Sequence, residues 1–149
     1  MKLKNQLGID KKKSRVLFWD IETSLQPVAV FQLSHQDWID PSSILQERYV
    51  ICAGWKWEGE NKIHTVSVLD DPKRYKKDPH DDYHVIKTLH QILSEADVII
   101  HHNGDSFDKR YVDTRILVHD LPALPPIASV DTYKIAKARF YLNSNKLDY

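Results

Sequence analysis

Very little in this sequence could staple or anchor it. Cys52 is the lone cysteine, which excludes an intramolecular disulfide framework and fits a reducing cytoplasm. No nucleophile motif surrounds it, so Cys52 reads as a small buried strand residue. The apolar runs are a few residues long, far below the ~20 that a spanning helix needs, and no apolar stretch follows the basic start as it would in a secretory leader. No membrane partner is expected. Net charge is also lacking: 21 Lys and Arg balance 21 Asp and Glu, so the molecule as a whole is not a strongly basic binder. Repeats and low-complexity tracts are absent, and 149 residues suffice for one domain with a real core.

Local charge is present. Lys2, Lys4, Lys11, Lys12, Lys13 and Arg15 make residues 1–14 and their border a basic arm, and Lys134, Lys137 and Arg139 cluster late in the chain. Both read as solvated surface, a tail and a helix face, rather than as phosphate tracks.

The most informative stretch is Phe18-Trp19-Asp20-Ile21-Glu22-Thr23. Side chains alternate across a strand, so in an extended segment Asp20 and Glu22 share a face. Two carboxylates so close repel each other, and a divalent cation such as Mg²⁺ or Mn²⁺ would relieve the repulsion. The plainer alternative is a polar strand exit.

A second stretch, Ala96 to Asp108, runs from a β-branched strand (Val98, Ile99, Ile100) through His101, His102, Asn103 and Gly104 into a helix. Asp105 or Ser106 is expected to cap that helix, leaving Asp108 in its first turn and facing back toward the strand ends. For Asp108 the alternative is simple placement near a positive helix N-terminus. His101 and His102 suit hard, oxygen-preferring ions poorly and are read as capping or packing residues.

Together these segments resemble exonuclease motifs I and II of the DEDD, or DnaQ-like, 3′–5′ exonucleases of the ribonuclease H-like superfamily. Motif I is Asp20-x-Glu22 and motif II is Asn103-x-x-x-Phe107-Asp108. The three residues between Asn103 and Phe107 are similar to the proofreading domains of family B DNA polymerases and related phage-type stand-alone nucleases. The resemblance runs from about Arg15 to the end and implies a two-ion site of Mg²⁺ or Mn²⁺. In it Asp20 bridges both ions, Glu22 holds the one that activates water and Asp108 helps hold the other. It also places Thr23 and Asn103 at the substrate strand. Phe107 and Tyr111 stand beside them as substrate-contact candidates, although the spacing of Phe107 favours packing under the site. It implies single-stranded DNA, or RNA, as substrate, a polymerase or replication proteins as partners, and the cytoplasm of a bacterial or phage-infected cell.

The family's third motif, Tyr-x-x-x-Asp or His-x-x-x-Asp on a later helix, is not met. The literal match from His101 to Asp105 lies inside motif II. Asp131 is expected to cap a helix, and Asp148 is expected at an ordinary polar position. Residues 15–149 therefore read as a ribonuclease H-like domain lacking its C-terminal part. A binding module for single-stranded nucleic acid on the same fold is the alternative to an enzyme.

The coarse pattern is α/β. Strands are expected at 15–21, 49–57 and 62–69 as an antiparallel meander, with a hairpin turn at 58–61. A long excursion with at most short elements covers 23–48, in which Phe31 and Trp38 are expected to build local core, with stacking on unpaired bases as the alternative. A polar loop at 70–80 precedes an amphipathic helix at 82–95, on Val85, Ile86, Leu89, Ile92 and Leu93. A strand at 97–101, a helix at 105–119 with Phe107, Tyr111 and Ile116 to Val118 as its apolar residues, a strand at 127–130 and a helix at 132–141 complete a ribonuclease H-like mixed sheet with flanking helices.

Overall fold

The computed structural model describes residues 14–32 and 38–147. The basic arm, apart from Ser14, and Asp148 lie outside the described residues.

Strand β1 (Val16–Thr23) is the centre of a five-stranded sheet. Leu17, Trp19 and Ile21 are buried on one face, while Phe18, Asp20 and Glu22 are exposed on the other, the period-2 pattern of a strand covered on one side. Antiparallel to β1 runs β2 (Val50–Trp57), and antiparallel to β2 runs β3 (His64–Ser67). On the other side β4 (Val98–His101) lies parallel to β1, and β5 (Ala128–Asp131) parallel to β4. The order β3-β2-β1-β4-β5 is the mixed α/β sheet expected from sequence, a meander extended by parallel strands.

Helix α2 (Tyr83–Ser94) lays Val85, Ile86, Leu89 and Leu93 onto the covered face, all at 1% exposure or less. Each such side chain contributes about 1.5–3 kcal/mol on burial. Helix α3 (Asp108–Val118) buries Val112 and Ile116 one turn apart, continuing a stripe that begins at Asp108. Leu117 and Val118, counted among the apolar residues of this helix, are exposed because they fall off that stripe. Trp55 and Trp57 pack at the edge of the same core, with the Arg15 guanidinium 4.2 Å from the Trp57 ring.

Several local expectations are corrected. The loop at 70–80 contains a helix, α1 (Pro72–Lys77), started by Asp71, whose carboxylate accepts from the Arg74 N–H at 3.1 Å, and by Pro72 in the first position. The Asp-Pro signal was in the sequence, but no apolar stripe accompanied it. Phe31 and Trp38 are exposed and form no local core; the excursion is held instead at its base, where Ser24 and Tyr49 exchange hydrogen bonds of 2.9 and 3.1 Å. Cys52 is half-buried on the open face, paired across the strands with Glu22. Helix α4 (Thr132–Arg139) closes the order. No helix among the described residues is long and apolar enough to cross a membrane.

Candidate functional site

The sheet dictates where a site can form. From β1 the chain leaves toward β2 on one side, while from β4 it leaves through α3 toward β5 on the other. The carboxyl ends of parallel neighbours β1 and β4 therefore flank a topological switch point, the usual position of a ligand crevice in an open α/β sheet. Asp20 and Glu22 lie at the end of β1, and His101, His102 and Asn103 at the end of β4.

Strand β4 pairs with β1 only as far as Phe18 and Ile100. Beyond that point the Ile21 N–H donates to Asp108 Oδ1 at 3.2 Å. Asp108 opens α3, its carboxyl group is buried, and it faces back to the strand as expected. The main chain between Asp20 and Glu22 is thus tied to the third acid of the two motifs. The capping expected of Asp105 or Ser106 does not occur. Phe107 occupies the cap position without a side-chain bond, because Asp105 turns away to Ser129 and to Lys134 Nζ, the latter at 2.7 Å.

Charge couples the acids. Burial raises the Asp20 carboxyl above its ordinary value, and the charges of Asp108 and Glu22 raise it further, with His102 and His101 opposing. Burial also raises Asp108, against the hydrogen bonds from Ile21 and from its own N–H. Cys52 is raised chiefly by burial and then by Glu22 and Asp20. The crevice is an anionic spot with too little neutralising charge around it.

A second cluster was not assembled from sequence. His101, Asp105 and Asp131 each bring one donor atom to within 4.8 Å of the others, so this group could hold a metal ion. Asp20, Glu22 and Asp108 do not close to that spacing among the described residues. The signal for the cluster was the pairing of His101 with Asp131 across β4 and β5, together with the four-residue step from His101 to Asp105. Its groups are already engaged. His101 Nε2 lies 2.7 Å from Ser129 Oγ and its ring stacks on Trp19. Asp131 caps α4, accepting from the Tyr133 N–H at 3.0 Å, as expected of it. His102 bonds Thr132 Oγ1 at 2.9 Å and the Asn145 carbonyl at 2.7 Å, a packing role.

The remaining candidates fall around the crevice unevenly. Thr23 ends β1 at a bulge after Glu22 and is half-buried. Asn103 is exposed, with a left-handed φ of 65°. Phe107 and Tyr111 sit half-buried against the core edge, ring centroids 5.5 Å apart, with the Arg48 guanidinium 5.7 Å from the Tyr111 ring. On the open face beside Asp20 lies a groove of about 600 Å³, lined among others by Phe18, Lys56, Ile63, Ile100 and Leu147.

No protein-family model matches this chain, and no curated protein matches it in sequence. In fold it is similar to the family B DNA polymerase of the hyperthermophilic archaeon Pyrobaculum calidifontis, with a TM-score of 0.57 and 20% identity over 85% of the chain. The match spans 16% of the polymerase. The likeness is one of fold, and it agrees with a ribonuclease H-like α/β domain.

Proposed function

We propose that this domain is a metal-dependent 3′–5′ exonuclease that releases nucleotides from single-stranded DNA ends. The observation that carries this reading is the bond from the Ile21 N–H to Asp108, which sets the motif II acid against the main chain linking Asp20 and Glu22. The fold likeness to a family B DNA polymerase supports it, as does the polymerase-like spacing of Asn103 and Asp108.

The donor set fits the ions. Asp20, Glu22 and Asp108 offer only carboxylate oxygens, which suit hard Mg²⁺ or Mn²⁺, and the Asp20 carboxyl is raised first by burial and then by the charges of Asp108 and Glu22, which a cation would offset. These three residues would hold two ions. When bound, such ions stabilise the attacking and leaving oxygens of an in-line displacement at phosphorus and make water more acidic. The chain itself orients. The strand fixes Asp20 and Glu22 on one face, α3 fixes Asp108, and Asn103 and Thr23 would contact the terminal nucleotide. Phe107 and Tyr111 would shape the floor of that contact. No protein nucleophile is required, and a near-neutral surface is no obstacle where metal charge draws the phosphate. A polymerase or other replication proteins would be the partners.

A second reading has one observation in its favour. The resembled family uses a further aspartate, and Asp131 is already bonded by backbone amides. On this reading the domain binds single-stranded nucleic acid without cutting it.

The test is degradation of 5′-labelled single-stranded DNA and RNA with Mg²⁺ or Mn²⁺, comparing the chain with Asp20→Ala. A ladder from the 3′ end that the substitution abolishes supports the exonuclease, and the preferred strand separates DNA from RNA. Strand binding without cleavage by the parent chain supports the binding module.

A further inference from the structure

We propose that Asp131 is a positioning residue for the acidic crevice: its carboxylate clamps the turn that carries Asn103 and delivers Asp108. The inference rests on the exonuclease reading above for its functional consequence, but its geometry stands alone.

Asp131 ends β5 as the register partner of His101, so it lies beside the point where the chain leaves β4. It is 5% exposed. Oδ1 accepts from the Asn103 N–H at 2.8 Å and from the Tyr133 N–H at 3.0 Å, and Oδ2 accepts from the Asp105 N–H at 3.3 Å. One carboxylate thus joins the first turn of α4 to the turn after β4. Several converging amides favour the anion. Although burial opposes it, these hydrogen bonds and one from Lys134 hold the Asp131 carboxyl below its ordinary value.

The clamp acts on a left-handed position. Asn103 holds φ at 65°, a conformation that few non-glycine residues adopt and that asparagine tolerates among the best. In this conformation its N–H points at Asp131, while its carbonyl accepts from the Ser106 and Phe107 N–H groups at 3.1 and 3.2 Å. The turn so closed ends at Asp108, whose carboxylate meets the Ile21 N–H. Asp105 is held separately by Ser129 and Lys134. Asp131 anchors the start of this turn and Ile21 its end, so loosening the first should displace the acid at the second. Both Asp131 oxygens are already taken by amides, which suits a positioning role rather than ligation.

The experiment compares the parent chain with Asp131→Ala and Asp131→Asn. It uses calorimetric titration with Mn²⁺ alone, amide hydrogen exchange at Asn103 and Asp105, and single-turnover cleavage. Support partners of metal ligands typically cost about 10–100-fold in metal affinity or activity when removed. The expected result for Asp131→Ala is that loss in Mn²⁺ affinity with the number of bound ions unchanged, and faster exchange of both amides. Asp131→Asn keeps one accepting oxygen and should recover part of both readouts. It also serves if the alanine variant fails to fold. A drop in the number of ions bound would overturn the proposal by making Asp131 a ligand, with His101 and Asp105. Unchanged affinity with faster exchange would overturn it too, since the clamp would not reach the crevice. Failure of the exonuclease reading appears elsewhere, as a parent chain that does not cut or an Asp20→Ala variant that cuts equally. The exchange and titration results decide the clamp in either case.

Discussion

The carboxylate of Asp108 takes the Ile21 N–H at the level where β4 no longer pairs with β1, so a side chain stands in for the missing strand partner. Asp108 is therefore a fold group as well as a site group, and substitutions should separate the two. Asp108→Asn keeps an accepting oxygen and should abolish metal-dependent cleavage with little loss of stability. Asp108→Ala leaves a buried N–H unpaired, which costs about 1–3 kcal/mol. Urea unfolding of both variants beside the cleavage assay checks this; equal destabilisation would mean that the Ile21 bond contributes nothing.

Electrostatics gives a pH prediction. The carboxyls of Asp20 and Asp108 are raised above the ordinary 3.8, mainly by burial. A raised acid means that the folded state holds its proton more tightly than the unfolded one. The stability this contributes is complete below the unfolded value and is lost as pH rises through the folded value. At neutral pH the metal-free fold thus bears a penalty from these anions. Asp20→Asn should melt higher than the parent at pH 7 in EDTA, and the two melting curves should converge in acid. Added Mg²⁺ should raise the parent and not the variant, by about 2.7 kcal/mol when free ion stands at a hundred times its dissociation constant. Melting scans with and without Mg²⁺ check both signs.

Asp82 shows what a buried acid does away from the site. It is fully buried before α2, where it accepts from the Val50 N–H at 2.8 Å and from Arg115 Nε and Nη2 at 2.9 and 2.7 Å, with His119 Nε2 at 2.6 Å. One side chain ties β2, α2 and α3 together. Asp82→Ala strands the Arg115 charge and an amide, and breaking such a pair costs about 3–5 kcal/mol. Denaturant midpoints should fall accordingly, whereas Asp82→Ala combined with Arg115→Met should regain part of the loss; if the double variant is no better, the stranded charge is not the cause.

The period-2 pattern of β1 and the amphipathic stripe of α2 were legible because burial on one face writes a period into sequence. The shared face of Asp20 and Glu22 followed from the same rule. What was not legible depended on tertiary partners. Asp105 could be read as a cap, but Ser129 and Lys134 arrive from β5 and α4 to claim it. Asp82 scans as an ordinary helix start, and only the approach of Arg115 makes it a buried hub. Phe31 and Trp38 scan as core by hydrophobicity alone, yet both are exposed.

Gly104 tests how tightly the turn before Asp108 is built. A Cβ there would fall 1.6 Å from His101 Nδ1, and the His101 ring cannot swing aside freely, since it is buried, stacked on Trp19 and bonded to Ser129. Gly104→Ala must therefore move either the ring or the turn. Overpacking of this kind costs about 1–3 kcal/mol, and a displaced turn carries Asn103 and Asp108 with it. The variant should lose both stability and Mn²⁺ affinity. Gly104→Ala combined with His101→Ala clears the clash and should restore the melting temperature beyond that of the single glycine variant. If Gly104→Ala behaves as the parent in melting and titration, the ring yields without moving the acids, and the close packing of His101 on Gly104 plays no part in setting the crevice.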